Sequence, residues 1–244
     1  MGALRIVILP TPTAHCAFRA KKQPEQHVEP QNLCYTIPSL KQVVTVMCGR
    51  YQFTEQQSEE ILQIIQEAQD KVGVVAAQAV PRGEIKPGSK MPVLIPTEGG
   101  HPTPELMVWG FLTPKKSLLI NARAETAMDK PTFADSVRYR HCVVPSTGFY
   151  ERDGDRRDFF FTCRDSAALY MAGIYDVRDG VPCYCILTTA PNDSMRDVHD
   201  RMPLVLEREQ IVPWLYDLAA TEQFLKATPT LLERRLLDTQ IGLW

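Results

Sequence analysis

Six short segments rich in β-branched and aromatic residues follow one another along the chain, and they constrain its fold more than any other feature. They cover residues 91–97, 105–112, 142–151, 158–164, 168–177 and 181–190. Asp153-Gly154 and Asp179-Gly180 lie between successive segments and are typical of hairpin turns. The pattern predicts an α+β domain, mainly an antiparallel curved sheet or open β-barrel with peripheral helices.

Helical periodicity flanks this β-rich region. A Thr54-x-x-Gln57 capping box predicts the start of a helix, and Gly73 predicts its end. The apolar stripe of this helix comprises Ile61, Ile65, Ala68 and Val72. Further helices are predicted near 131–140 and after residue 207.

The first 46 residues differ in composition from the rest of the chain. They contain five prolines and a surplus of three positive charges, whereas the remainder carries a net charge of −5. We therefore expect residues 1–46 to be a disordered leader that is removed or that precedes the true start. The expected organisation continues with a catalytic domain at 47–225 and a C-terminal helical tail at 226–244.

Overall composition limits the classes of partner. The formal net charge is −2, so contact with nucleic acid would require a local cluster of arginines. Seven irregularly spaced cysteines are typical of reduced thiols rather than of a disulfide framework. No apolar run is long enough to span a bilayer, so no membrane partner is expected.

Cys48 has two interpretations. A lone cysteine is most often a small buried hydrophobic residue. Here Gly49 and Arg50 follow it, and a nearby guanidinium favours the thiolate. If translation starts at Met47 and the methionine is removed, Cys48 gains a free α-amine, a group with a pKa of roughly 7.7–8. Its amine and thiol would then condense with an aldehyde into a thiazolidine ring.

Three other residues are candidates for chemistry, and each also has a structural interpretation. Glu151 follows Phe149 and Tyr150, so it is either a solvated strand-end carboxylate or a general acid or base. His199 is a structural histidine or a proton donor near neutral pH. Asn121 is a turn former or a group that orients a carbonyl or hydroxyl.

An arginine lies close in sequence to each of three candidate reactive residues, which are Cys48, Asn121 and His199. Arginines are usually solvated surface groups, but this placement predicts a phosphate-lined pocket. The three arginines are Arg50, Arg123 and Arg201.

Two further features have a core interpretation that outweighs the functional one. Trp109 is either a core residue or a platform on which a base stacks. Cys183 and Cys185 share one side of a predicted strand, but no second ligand pair occurs at zinc spacing. No metal site is therefore expected.

Seven short motifs occur in order between residue 47 and about residue 218. They are MCGR at 47–50, VPRGE with MPVLI at 80–95, WGF at 109–111, NARAET at 121–126, RHCVVPSTGFYE at 140–151, AGIYD at 172–176 and HDRMP at 199–203. In order and spacing they resemble the SOS-response-associated peptidase (SRAP) family of abasic-site processing proteins. Any one motif is a weak signal, but NARAET, GFYE and HDRMP together are highly specific.

The resemblance implies a chemical role for each matching residue. Cys48 would become the mature N-terminus and form a thiazolidine link to the ring-opened deoxyribose of an abasic site. Glu151 would assist acid/base steps, while Asn121 and His199 would stabilise the sugar and shuttle a proton. The phosphates of a kinked single strand would be held by Arg50, Arg123 and Arg201.

The resemblance also implies the wider setting of the protein. Its partner would be single-stranded DNA containing abasic sites, without a metal or organic cofactor. Autopeptidase activity and weak abasic-site lyase activity are expected, as are a monomeric state and partners at replication forks. The expected location is the cytoplasm or nucleoid of a bacterium, or the nucleus of a eukaryote.

Two departures from the family pattern affect these expectations. Arg152 stands where the family usually has tryptophan, so a cation that binds phosphate or stacks through its guanidinium plane would replace a stacking ring. The second departure is the leader, because with residues 1–46 attached Cys48 has an amide nitrogen and cannot form an imine.

Two rival functions stay open at the level of sequence. One is a thiol peptidase in which His199 activates Cys48 and the target is a peptide bond. The other is a non-catalytic single-strand-binding β domain, which the net negative charge and the few aromatic residues disfavour.

Overall fold

In a computed structural model of the chain, residues 49–73 and 80–237 are described. Along the chain the strands are β1 (Arg50–Phe53), β2 (Gly83–Ile85), β3 (Lys90–Ile95), β4 (Thr103–Trp109), β5 (Phe111–Leu112), β6 (Leu118–Leu119), β7 (Asn121–Arg123), β8 (His141–Ser146), β9 (Gly148–Arg152), β10 (Asp158–Thr162), β11 (Leu169–Arg178), β12 (Val181–Thr189), β13 (Met202–Pro203), β14 (Val205–Leu206) and β15 (Glu233–Leu236). The α-helices are α1 (Glu59–Val72), α2 (Ala124–Ala127), α3 (Ala134–Tyr139), α4 (Ile211–Tyr216) and α5 (Leu218–Phe224). Short 3-10 helices at Glu55–Gln57 and Arg208–Gln210 precede α1 and α4. The α+β class expected from sequence is confirmed.

The larger sheet contains a closed barrel. Strand β12 pairs with β11 in antiparallel fashion and with β4 in parallel fashion. Since β4 pairs with β3, β3 with β8 and β8 with β11, five strands form the ring β12-β4-β3-β8-β11. The barrel is thus closed where an open one was expected, and closure pairs the edge strands that an open sheet would expose.

The second sheet has the order β15-β10-β9-β1-β2, and all its neighbours are antiparallel. Side chains alternate between its two faces, as the strand geometry requires. One face is buried and mainly apolar, and burial of each of its large apolar side chains contributes roughly 1.5–3 kcal/mol. This face carries Tyr51, Phe53, Ile85, Phe149 and Phe161.

Three aromatic residues join the two sheets. Tyr51 of the five-stranded sheet packs against Trp109 of β4 with ring centroids 5.0 Å apart, and Trp109 is stacked on Tyr184 of β12. The hydroxyl oxygens of Tyr51 and Tyr184 are 2.8 Å apart. Burial raises the pKa of both phenols, so they stay neutral and share this hydrogen bond.

Helix α1 agrees with three of the four positions of the predicted stripe but not with the predicted cap. The side chain of the fourth, Val72, lies outside the described residues. Ile61, Ile65 and Ala68 are buried, and the helix ends before Gly73, whose φ is 88°. The N-cap is Ser58, whose hydroxyl accepts from the Ile61 amide at 3.4 Å. Thr54 instead precedes the 3-10 helix and makes no side-chain cap, because this extra turn separates it from α1.

The two predicted hairpins differ in their turns. Asp179 and Gly180 both have positive φ, 51° and 77°, as a tight turn between β11 and β12 requires. The β9–β10 loop is longer, and its positive φ of 65° falls on Arg156 instead of Gly154. Asp153 stabilises that loop by accepting from the Asp155 and Arg157 amides at 3.0 and 2.8 Å.

The expected helical tail at 226–244 is wrong for its described part. Residues Glu233–Leu236 form β15, which pairs with β10 from Phe159 to Thr162. A short charged segment adopts a strand here because the open edge of β10 supplies its hydrogen-bond partners.

In the described part of the chain, no helix has the length and apolar character needed to cross a membrane.

Candidate functional site

Glu151 lies on the buried face of the five-stranded sheet. It is opposite Phe159 of β10, and only 6% of its surface is exposed. Phe149, on the same face of β9, is completely buried. A carboxyl group in such surroundings is costly unless its interactions compensate, so burial favours a specific role for Glu151 over a solvated strand end.

Arg50 and Arg152 share one carboxylate on the opposite face of the sheet. Asp158 accepts from Arg50 Nη2 at 2.7 Å and from Arg152 Nε and Nη2 at 2.9 and 2.8 Å. Hydrogen bonding from Arg152, helped by the charge of Arg50, holds the pKa of Asp158 below its usual range. Arg50 also pairs with Glu84 at 3.4 Å, so two guanidinium groups face two carboxylates at this point.

Asn121 and Arg123 lie on β7, which runs parallel to β12. Asn121 is opposite Ile186 and is half-buried, while Arg123 is opposite Thr188 and is exposed. Helix α2 begins directly after Arg123, so the strand ends where its guanidinium meets solvent. Arg123 is therefore exposed at the end of a strand, and its predicted phosphate contact stays a prediction.

Arg201 has different surroundings from Arg123, although both contact the same part of β12. It donates to the two Glu125 carboxylate oxygens at 2.6 and 2.7 Å and to the Thr188 carbonyl at 2.6 Å. Its side chain is 13% exposed. This bidentate hydrogen bonding lowers the pKa of Glu125. Arg201 thus has a structural role. Its predicted phosphate contact stays a prediction.

His199 is held in the loop that precedes β13. Its Nδ1 lies 3.2 Å from the Arg201 amide and 2.8 Å from the Asp200 carboxylate. The amide donates to Nδ1 when that nitrogen is unprotonated, and Nδ1 donates to Asp200 when it is protonated. Nε2 makes no hydrogen bond within the described residues.

The structure therefore places the candidate residues in two groups. Arg50, Glu151 and Arg152 lie on β1 and β9 of the five-stranded sheet. The second group lies beside β12 and comprises Asn121, Arg123, His199 and Arg201. Cys48 falls outside the described residues, although Gly49, the residue bonded to it, is described.

The loop that carries His199 is also tied to the C-terminal segment. Asn192 donates to the carbonyls of Pro229 and Thr230 at 3.0 and 2.8 Å. Arg234 of β15 donates to Asp197 at 2.5 Å. Because β15 pairs with β10, these contacts connect the His199 loop to the sheet that carries Glu151.

One proposed DNA contact is corrected by the structure. Trp109 is completely buried, and its indole nitrogen donates to the Ile120 carbonyl at 3.1 Å. It cannot present a ring face to a base, so its core interpretation is the right one. Cys183 and Cys185 are buried as well, in agreement with their predicted packing role.

Sequence reasoning missed two carboxylates that organise the arginines. Glu125 lies within the NARAET motif, but its partner Arg201 is 76 positions away. Asp158 lies 108 positions from Arg50. An acidic residue close to a candidate arginine was the available signal, but pairing at such separations depends on the tertiary fold.

The fold and the candidate residues define a class: a β-rich domain with a buried carboxyl group, a histidine loop and arginines beside both sheets. The sequence profile of the family described as SOS response associated peptidase (SRAP) matches residues 47–240. The chain belongs to that family.

Curated relatives carry a common description. The chain is 29% identical to Abasic site processing protein YoaM of Bacillus subtilis over 170 residues, 62% of this chain and 75% of the relative. It is 29% identical to Abasic site processing protein YedK of Escherichia coli over 178 residues, 69% of this chain and 79% of the relative. It is 30% identical over 143 residues to Abasic site processing protein HMCES of Mus musculus, 43% of this chain and 40% of that protein.

Solved structures show the same fold. A protein from Bacteroides thetaiotaomicron matches with a TM-score of 0.64 and 20% identity, covering 79% of this chain and 93% of the other. A protein from Bordetella bronchiseptica matches with a TM-score of 0.61 and 24% identity, covering 78% of this chain and all of the other.

Proposed function

We propose that this protein recognises abasic sites in single-stranded DNA and captures them covalently through Cys48 as its mature N-terminal residue. Membership of the SRAP family and the abasic-site processing names of its relatives support the lesion as target. The MCGR sequence at 47–50 supports Cys48 as the nucleophile, since the family match begins at its methionine. The capture protects the lesion during the response to DNA damage.

The chemistry requires only the groups of one residue and the ring-opened sugar. The α-amine adds to the C1′ aldehyde, and loss of water gives an imine. The thiol then adds to the imine carbon while the nitrogen takes a proton, which closes the thiazolidine ring. Because both nucleophiles belong to one residue, closure profits from a very high effective concentration.

Other residues would assist these proton transfers. Glu151 transfers a proton during imine formation, and its burial is the observation that carries this assignment. His199 shuttles a proton through Nε2, the nitrogen that makes no hydrogen bond among the described residues. Asn121 orients the sugar, and Arg50, Arg123 and Arg152 contact phosphates.

The test is a cross-linking assay with protein that starts at Met47 and has lost the methionine. With a single-stranded oligonucleotide containing one abasic site, we expect an adduct that survives denaturing electrophoresis. Cys48→Ser should give only an imine that borohydride can trap. Glu151→Gln should slow the reaction by roughly 10²–10⁴-fold without weakening noncovalent binding. Glu98→Gln, at an exposed loop position, is the matched control and should react like the wild type.

The same assay on the full chain separates the main proposal from the thiol peptidase. With residues 1–46 attached, Cys48 carries an acylated nitrogen, so no adduct should form until that segment is removed. Mass spectrometry of the N-terminus during incubation reports whether the chain removes it by itself. Equal cross-linking by intact and truncated protein would rule out the N-terminal mechanism.

A further inference from the structure

A straight row of four side chains crosses the half-exposed face of the five-stranded sheet. Arg50 on β1 is opposite Tyr150 on β9, Tyr150 is opposite Phe160 on β10, and Phe160 is opposite Arg235 on β15. We call these four residues the cross-strand row. Neighbouring strands are about 4.8 Å apart, so the row extends over roughly 14 Å.

The members of the row are in continuous contact. The Arg50 guanidinium lies 5.2 Å from the centre of the Tyr150 ring, and the Tyr150 and Phe160 rings are 4.8 Å apart. Arg235 lies 6.0 Å from the centre of the Phe160 ring. Two aromatic rings therefore form a floor with a guanidinium group at each end.

Gly148 allows this floor to lie close to the sheet. Its φ is 154°, and a β-carbon at this position would come within 2.4 Å of the Phe160 ring and 2.5 Å of the Phe161 carbonyl. Any other residue would push Phe160 away from the backbone. The glycine thus fixes the height of the ring over which Arg235 lies.

The guanidinium charges at the two ends of the cross-strand row both act on Tyr150. Burial raises the pKa of Tyr150, with a contribution from Glu84, while Arg50 and Arg235 oppose that rise. Arg50 is partly neutralised by Asp158 at 2.7 Å and by Glu84 at 3.4 Å. Arg235 is exposed, and no carboxylate in the described part of the chain forms an ion pair with it. Arg235 is thus a cation available to an anionic ligand.

We propose that the cross-strand row is a binding site for the backbone of a single nucleic-acid strand, with one phosphate at Arg50 and another at Arg235. This inference rests on the proposed function. Arg50 is two positions from Cys48 in sequence, so the strand attached there meets Arg50 first and Arg235 further along. Arg235 lies on β15, outside all seven sequence motifs, and extends the contact to the last strand of the domain.

Nearby acidic residues limit the strength of this site. Glu233 and Glu84 also lie on strands of this sheet, and both are exposed. The ligand must therefore reach the arginines between carboxylates, which suits a thin, flexible strand better than a rigid duplex. The contact is to phosphate and is independent of base sequence.

The experiment compares the salt dependence of noncovalent binding to a single-stranded oligonucleotide without an abasic site. Each phosphate contact on a single strand contributes about 0.7 to the slope of log affinity against log salt concentration. Arg235→Gln should lower the magnitude of the slope by about 0.7. Over a fourfold change in salt concentration, the affinity of this variant should therefore change about 2.6-fold less than that of the wild type. Arg235→Lys should retain the slope.

Arg234→Gln is the matched control. Arg234 is next to Arg235 on β15 but on the other face, where it pairs with Asp197. Its replacement should leave the slope unchanged. An unchanged slope in Arg235→Gln would overturn the proposal. So would an Arg235→Gln variant that loses affinity for a polyglutamate peptide but not for the oligonucleotide, because the row would then be a protein-docking surface.

The outcome also separates this inference from the proposed function. If wild-type protein cross-links abasic DNA but Arg235→Gln binds with an unchanged slope, only the cross-strand row is wrong. If wild-type protein neither cross-links abasic DNA nor binds the oligonucleotide, both proposals fall.

Discussion

The two arginines beside Thr188 differ in their surroundings, and we propose that they serve different purposes. Arg123 ends β7 at the surface, whereas Arg201 is largely buried and bonded to both oxygens of Glu125. Hydrogen bonds to charged groups contribute more than neutral ones and are expensive to leave unmade. The positions of Arg201 and Glu125 therefore depend on each other, and the Arg201 amide in turn contacts His199.

Substitution of the two arginines should separate these purposes. Arg201→Gln should lower the free energy of unfolding by about 1.5–3 kcal/mol, because Glu125 and the Thr188 carbonyl lose their donors. Arg123→Gln should change it by less than about 0.5 kcal/mol. In DNA binding, Arg123→Gln should lower the salt slope by about 0.7. Urea unfolding and binding titrations measure both effects, and equal stability of the two variants would contradict the assignment.

At the scale of elements, β8 packs against α4 through a buried histidine. The His141 ring lies 4.8 Å from Trp214 of α4, and its Nε2 hydrogen-bonds the Val137 carbonyl of α3. The Trp214 indole donates to the Cys142 carbonyl at 2.9 Å. Burial lowers the pKa of His141, and the bond to Val137 opposes this only in part.

This lowered pKa predicts a loss of stability in mild acid. The unfolded chain takes up a proton at His141 near pH 6.5, and the folded protein does so only at lower pH. The contribution of neutral His141 to the free energy of unfolding is fully present above pH 6.5. It is lost as the pH falls toward the folded-state pKa, by at most about 1.4 kcal/mol per pH unit. His141→Phe should make the free energy of unfolding, measured with urea, depend less on pH below pH 6.5. His101→Gln, at an exposed position, should retain the wild-type slope.

Local patterns in the sequence predicted several elements correctly. The Asp179-Gly180 hairpin follows from turn chemistry, and the buried positions of α1 follow from helical periodicity. The N-cap at Ser58 was missed because a 3-10 turn lies between Thr54 and the helix. These outcomes depend on a few neighbouring residues, which is the range in which sequence signals are strong.

Long-range pairing set the limits of sequence prediction. Barrel closure depends on β12 lying parallel to β4, with Cys183 opposite Val108, and turn residues do not report such a pairing. Strand β15 lacks an apolar period and forms on the edge of β10. For the candidate site, Glu151 and His199 were identifiable as residue types, but the carboxylates that hold Arg50 and Arg201 were not.

At the scale of the whole molecule, the C-terminal segment is part of the domain. The family match extends to residue 240, and β15 lies within it. Asn192, in the loop that also carries His199, donates two hydrogen bonds to this segment, at residues 229 and 230. The His199 loop and the five-stranded sheet are therefore connected through a segment distant from both in sequence.

Asn192→Ala should weaken this connection. Asn192 is 4% exposed, so its loss leaves two carbonyls short of a donor, and the free energy of unfolding should fall by about 1–3 kcal/mol. Hydrogen exchange should accelerate in residues 229–236, and cross-linking should slow more than noncovalent DNA binding, because His199 loses its support. Asp193→Ala is the matched control, since the exposed Asp193 pairs only with the exposed Arg196 among the described residues. Faster exchange confined to residues 192–199 would mean that the C-terminal segment docks without Asn192.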